Sequence, residues 1–419
     1  MNRRLTNRRL TALIPLVAVV LLAGAPLQAR AEEVARWNRI ATEAMAATET
    51  DPLTESRMLA ILHLAIHDTL NTIEPRYRTF ATVRTTTPGA STDAAVASAA
   101  HTTLTTLLRN RATTFDREFA VSLEAVTDKD ARDAGVAAGR TVALAILAMR
   151  ETDGASRTVV YEAGTRPGAY RPTPPDFTPA LFSHWGTVTP LALKTAAQFR
   201  PTAPPEPGSA LALTEIATVA RIGGSTSTTR TAEQTEISKF WYENSTQGWN
   251  RIAHDLAVAR QLDEWTTARL LALVNVAMAD GFIGGFEAKY HYNYWRPATA
   301  IRETTDPAWL SNLTTPPVPD YPSTHTVLGA AAAAVLARFF ETDYVTFAMT
   351  SGAPYGGITR RFWSFSEAAQ ENGASRVLAG IHFPTAVKAG YEQGDRIGAY
   401  VFEQLLTPLT TTVRTSAVR

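Results

Sequence analysis

Apolar residues recur at three- and four-residue spacings along most of the chain, and few alternating β-branched runs compete with that period. After the start signal Asp51-Pro52, the positions Met58, Leu59, Ile61, Leu62, Leu64, Ala65 and Ile66 form a dense apolar face. Residues 92–109, 113–126 and 128–150 continue as Ala-rich or amphipathic helices with polar breaks between them. From Thr152 to Ser209 closely spaced prolines, Pro167 to Pro207, leave little room for long helices. Phe177, Leu181, Phe182, Trp185 and Phe199 lie among them, and a solvated linker has no need of such anchors. That stretch is predicted to be an ordered connection between two helical halves.

The helical period returns over 210–222, 231–243, 246–260 and 263–290. A short helix at 297–304 leads into a Pro-rich loop, Thr314 to Pro322. The Ala-rich run from Thr326 to Phe340 follows and needs burial on most sides. Two last helices are predicted at 366–380 and 384–406, and no segment repeats at a fixed period. The pattern predicts an all-α protein of packed helical bundles. Its N-terminal part is expected over residues 32–208, including the connection, and its C-terminal bundle over residues 209–419.

Composition supports a large core, with 45% of the 419 residues apolar and 19% charged. Residues 1–31 are set aside first. Arg3, Arg4, Arg8 and Arg9 form a basic start, Leu13 to Ala25 is almost wholly apolar, and Ala29-Arg30-Ala31 offers a small-x-small cleavage site. An anchor helix is the alternative, but Pro15 and the cleavage site favour a signal peptide. The expectation is an exported protein, periplasmic or secreted, with no stable membrane span after cleavage. Losing the five arginines of residues 1–31 takes the net charge from +1 to −4, so no basic surplus is left to attract nucleic acid. The absence of cysteine excludes disulfides, thiolate metal sites and Cys nucleophiles.

Three segments carry candidate chemistry. The first runs from Lys289 through an aromatic-rich stretch to Arg296-Pro297. The second is Tyr321-Pro322-Ser323-Thr324-His325, which opens the Ala-rich helix. The third is Ser375-Arg376 followed by His382. Lys289, Arg296 and Arg376 are cations. Ser323 and the amides of Thr324 and His325 stand at a helix N-terminus, where unpaired donors favour an anion. The guanidinium fork makes bidentate bonds to tetrahedral oxyanions, and histidine can be nucleophile, ligand or proton carrier. Each element alone has an ordinary reading as a solvated helix-end lysine, an ion-paired arginine, an N-cap serine or a core histidine. Together they would repel one another without a multiply charged anion between them.

The order Lys-x6-Arg-Pro, Pro-Ser-x-His and Ser-Arg-x5-His resembles the signature of the type 2 phosphatidic-acid phosphatase superfamily, which includes the vanadium-dependent haloperoxidases. Ala279-Asp280, the stretch into Trp295-Arg296-Pro297, and Ser366 to Asn372 are similar to the haloperoxidase branch. Trp37-Asn38, Ile66-His67-Asp68 and Trp249-Asn250 resemble features of bacterial exported members. The resemblance implies His382 as the vanadium ligand or phosphatase nucleophile, and His325 as the acid–base group. Lys289, Arg296, Arg376, Ser323 and the Thr324 amide would hold the oxyanion, vanadate or phosphate, with Lys289 also polarising peroxide. Asp280 would orient one of the arginines from behind.

The substrates implied are hydrogen peroxide and halide, or a phosphate ester in an acid phosphatase. A binding protein that holds the oxyanion without turnover is a third reading, and the helical surfaces leave room for a homo-oligomer. Three positions depart from the family pattern. Thr324 stands where Gly is usual, and Val318, at a position linked to halide preference, is neither His nor aromatic. Ala386 replaces an Asp that would orient the last histidine, a part that Glu392 or Asp395 could take. Thr350 to Gly357 is predicted to be a loop near the pocket mouth.

Overall fold

A computed structural model describes residues 32–83 and 85–409. The proposed signal peptide, residues 1–31, lies outside the described residues. Thirteen α-helices, two short 3-10 helices and one small hairpin are the regular elements of the described residues, so the all-α expectation holds. The N-terminal helices are α1 (Glu32–Ala47), α2 (Pro52–Ile73), α3 (Thr92–Leu107), α4 (Ala112–Glu124) and α5 (Lys129–Arg150). Side-chain caps set several starts: Asp51 accepts the amides of Leu53 and Thr54, while Ser91 and Asp128 cap α3 and α5. Helix α1 was not anticipated.

After the connection come α6 (Ala210–Ile222), α7 (Ala232–Phe240), α8 (Ser245–Ala259), α9 (Glu264–Tyr292), α10 (Pro297–Thr304) and α11 (Thr324–Phe339). The hairpin β1 (Phe347–Thr350) and β2 (Thr359–Phe362) pairs antiparallel, with Thr350 opposite Thr359. It was not predicted, because two four-residue strands carry too few positions to show a two-residue period. Helices α12 (Phe365–Leu378) and α13 (Pro384–Gln404) close the fold.

Helix α9 is the axis of the molecule. It is long and apolar enough to cross a membrane, but 94% of its apolar window is buried inside the protein. It packs against α2, α8, α11 and α13, and so joins the two halves. Its apolarity all round is what a central helix requires. Asn293, in the left-handed conformation at φ 50°, ends it, its amide donating to the Lys289 carbonyl.

Helix α13 lies unusually close to α11. A Cβ on Gly390, Gly394 or Gly398 would meet the carbonyl oxygens of Ser323, Val327 and Ala331 at 2.5, 2.2 and 2.3 Å. These glycines, one per turn, bring the start of α11, with His325, toward the start of α13, just after His382.

The 152–209 connection is ordered but irregular. Trp185 is buried and Phe182 and Phe199 are partly so, whereas Phe177 and Leu181 are exposed and do not anchor it. Tyrosine hydroxyls hold it instead. Tyr292, Tyr294 and Tyr321 donate to the carbonyls of Pro201, Pro205 and Thr202, and Tyr290 to that of Leu181.

Candidate active site

The three motif segments meet at one cavity of about 310 Å³. Arg296, Thr324, His325, Arg376 and His382 line it, together with the apolar Phe182, Phe282, Phe286, Pro316, Pro317 and Val318. Lys289 and Ser323 are fully buried but stand behind the lining.

Lys289 projects from the last turn of α9. Its Nζ donates to the carbonyls of Pro319 and Asp320, at 2.7 and 3.0 Å. Burial and the nearby Arg296 guanidinium hold its pKa well below the usual lysine range. Arg296, just before α10, donates through Nε to the Val318 carbonyl at 2.7 Å and through Nη1 to the Ile381 carbonyl at 2.6 Å. Its Nη1 also lies 3.1 Å from His382 Nε2. Arg376, near the end of α12, is different: Nε and Nη2 are buried with no hydrogen-bond partner, and the guanidinium sits 5.6 Å from the Tyr242 ring centre. Burial, reinforced by Arg296, pushes it down to about 10.

Ser323 occupies the N-cap position of α11 without capping it, and its Oγ accepts from Thr326 Oγ1 at 2.9 Å. The first turn of α11 therefore has no side-chain cap. Thr324 fits because position 285 is glycine; a Cβ there would lie 2.5 Å from Thr324 Cγ2. His325 places Nδ1 at 2.8 Å from Ser245 Oγ and leaves Nε2 buried and unpartnered. Burial first, then Arg376, depresses its pKa well below the usual histidine value. His382 is depressed likewise, by burial and then by Arg296, Lys289 and Arg376.

Two expectations need correction. The carboxylate behind His382 is neither missing nor supplied by Glu392 or Asp395. It is Asp320, whose Oδ1 lies 2.9 Å from His382 Nδ1 and 3.9 Å from Arg296 Nη1. The Nδ1 approach has hydrogen-bond distance without a hydrogen bond's angle, so it is a close polar contact that a small ring rotation would make directional. Burial pushes the Asp320 carboxyl up to about 7, against the opposing pull of Arg296 and Lys289. Asp280 orients no arginine of the site. Its two oxygens accept the backbone amides of Leu191, Ala192 and Leu193 at 2.7–2.9 Å, which ties the connection to α9.

Sequence reasoning also missed part of the cavity lining. Pro52 and Leu53, at the start of α2, and Tyr242 to Ser245, before and at the start of α8, line the same cavity. The Thr350–Gly357 stretch is the hairpin turn, and its Ala353 and Pro354 reach the lining as expected.

The arrangement suits a compact multiply charged oxyanion. Lys289, Arg296 and Arg376 are buried close to two histidines, and two donor atoms of Arg376 have nothing to donate to. The chain is similar to known proteins. The chain matches the vanadium chloroperoxidase N-terminal domain over residues 32–177 and the second helical-bundle domain of that enzyme over residues 269–410. It is 26% identical over 257 residues to the vanadium chloroperoxidase of Curvularia inaequalis, a match covering 43% of this chain and 42% of that protein. The crystal structure of the first bacterial vanadium-dependent iodoperoxidase is similar at 28% identity and a TM-score of 0.82, covering 91% of this chain and 98% of the other. A holo-type bacterial vanadium-dependent chloroperoxidase shares the fold at 15% identity and a TM-score of 0.66, over 84% of this chain and 91% of that one.

Proposed function

The chain belongs to the vanadium haloperoxidase family, and from that premise we propose that it oxidises halide with hydrogen peroxide at a vanadate held in the cavity between Lys289 and His382. The observation that carries this reading is Arg376, a buried guanidinium with two donor atoms that lack acceptors, facing the same cavity as Arg296, His325 and His382. Burying a cation without a partner is costly, and an oxyanion removes that cost.

The residues fit the group. His382 lines the cavity with Nδ1 beside Asp320 and Nε2 beside Arg296, and Nε2 is the atom that would ligate vanadium. Arg296, Arg376, the Lys289 ammonium, the Ser323 hydroxyl and the Thr324 amide would hold the oxygens. Bound vanadate supplies a Lewis acid that activates peroxide without changing oxidation state. The protein's own residues then do three things. The cations neutralise charge on the oxygens throughout. Asp320 keeps His382 turned with Nε2 toward the cavity. His325, in the cavity lining, exchanges a proton with peroxide at Nε2, which is buried and has no partner.

The test is paired. Purified protein, with and without orthovanadate, is assayed with peroxide and each of iodide, bromide and chloride for halogenation of a phenolic dye, and in parallel for aryl phosphate hydrolysis. Vanadate-dependent halogenation that disappears in His382→Ala is expected. Hydrolysis inhibited by vanadate, with no halogenation, would overturn the reading in favour of a phosphatase.

A further inference from the structure

The chemistry of His325 depends on which ring nitrogen carries its proton, and a residue outside the three motifs bears on that. Ser245 Oγ is 2.8 Å from His325 Nδ1, while Nε2 is buried and unpartnered. The ring shares the cavity with Arg376, whose Nε and Nη2 hydrogens are also unpartnered. Donor hydrogens around a cavity favour a lone pair over a proton on a nitrogen facing it. In the neutral ring the proton then belongs on Nδ1, where Ser245 Oγ can accept it at 2.8 Å; the Trp241 backbone is a further acceptor beside the ring.

Ser245 is itself held from outside the C-terminal half. It is the first residue of α8, and the preceding Asn244 caps that helix by accepting the Thr246 amide at 3.0 Å. Asn244 Nδ2 donates to Glu55 Oε2 at 2.8 Å, and Glu55 is buried in the first turn of α2, beside the cavity residues Pro52 and Leu53. The path from α2 to the imidazole thus runs through the Glu55 and Asn244 side chains, the backbone between Asn244 and Ser245, and the Ser245 hydroxyl.

We propose that Ser245, anchored through Asn244 to Glu55, is a positioning residue that keeps His325 in its Nδ1–H form with the Nε2 lone pair turned into the cavity. This rests on the reading of His325 as the acid–base group. In that form Nε2 can accept a proton from hydrogen peroxide, giving the hydroperoxide anion and an imidazolium. The opposite tautomer would present an N–H there and could not.

Long-range proton–nitrogen NMR correlation on the ¹⁵N-histidine-labelled, vanadate-free protein reads the tautomer directly, with His325→Gln assigning the resonance. The wild type should show a protonated Nδ1 and a bare Nε2. Ser245→Ala should show a mixture of tautomers, and Ser245→Thr should restore the single form. In the vanadate-loaded enzyme, Ser245→Ala should lower kcat/KM for peroxide about tenfold, with orthovanadate affinity unchanged. Asn244→Ala, which leaves Ser245 in place but releases it, should show the same mixture to a lesser degree. A proton on Nε2 in the wild type, or an unchanged tautomer in Ser245→Ala, overturns the proposal. Wild-type protein with the Nδ1–H form but no halogenation would uphold the tautomer assignment and sink the haloperoxidase reading.

Discussion

Lys289 and Arg296 direct their donors to the main-chain carbonyls of Val318, Pro319, Asp320 and Ile381, whereas Arg376, just as deeply buried, keeps Nε and Nη2 unpartnered. One side of the cavity is therefore complete without a ligand. Its cations fasten the 316–323 loop against α9 and the start of α13. The other side is satisfied only when an anion arrives. The difference separates two roles that a list of cations merges: holding the fold and holding the oxyanion.

The sharpest way to break this comparison is to remove one arginine from each side. Arg376→Ala should weaken orthovanadate binding roughly 100-fold, while Tm of the vanadate-free protein holds or rises, because a buried unpaired charge is lost. Arg296→Ala should weaken binding too, but also lower Tm by roughly 5 °C, since it strands the Val318 and Ile381 carbonyls. Calorimetric titration and thermal melts give both numbers. Equal Tm losses in the two variants would erase the distinction.

A smaller effect is expected at Asp320, which touches the satisfied side from behind. Asp320→Asn keeps the shape but not the charge, and should cost about tenfold in orthovanadate affinity and less in stability. An unchanged affinity would mean that His382 is positioned by Arg296 alone.

The smallest effect belongs to Glu55, behind the Ser245 edge. Burial pushes its pKa from 4.5 up to about 8. The folded protein binds this proton more tightly than the unfolded chain, so the stability it contributes is fully present below about pH 4.5 and is lost as pH rises through about 8. Glu55→Gln should remove that decline and raise Tm at about pH 9 by roughly 2–4 °C, leaving melts near pH 4 unchanged. A parallel loss of stability in both proteins across that range would rule out Glu55 as its source.

Much of this was legible in the sequence where chemistry follows local spacing. The three motifs carried the cations, both histidines and the helix N-terminus, and the helical period placed most element boundaries. Contacts across the fold were not legible. Asp320 reaches His382 only through tertiary packing, although a lone acid inside the uncharged, proline-rich run Thr314 to Pro322 is a signal that could have raised it. Ser245 reads as an ordinary helix-start residue after Asn244, and nothing along the chain marks His325 as its partner. Asp280 was misread because the groups that donate to it are backbone amides of a segment with no period of its own.

The contact between positions 285 and 324 also makes two distant sequence positions one unit. A side chain at 285 would put its Cβ 2.5 Å from Thr324 Cγ2, so the threonine would have to turn or α9 to shift. A change on α9, away from every charged group of the site, would therefore be felt at the start of α11 in the cavity lining.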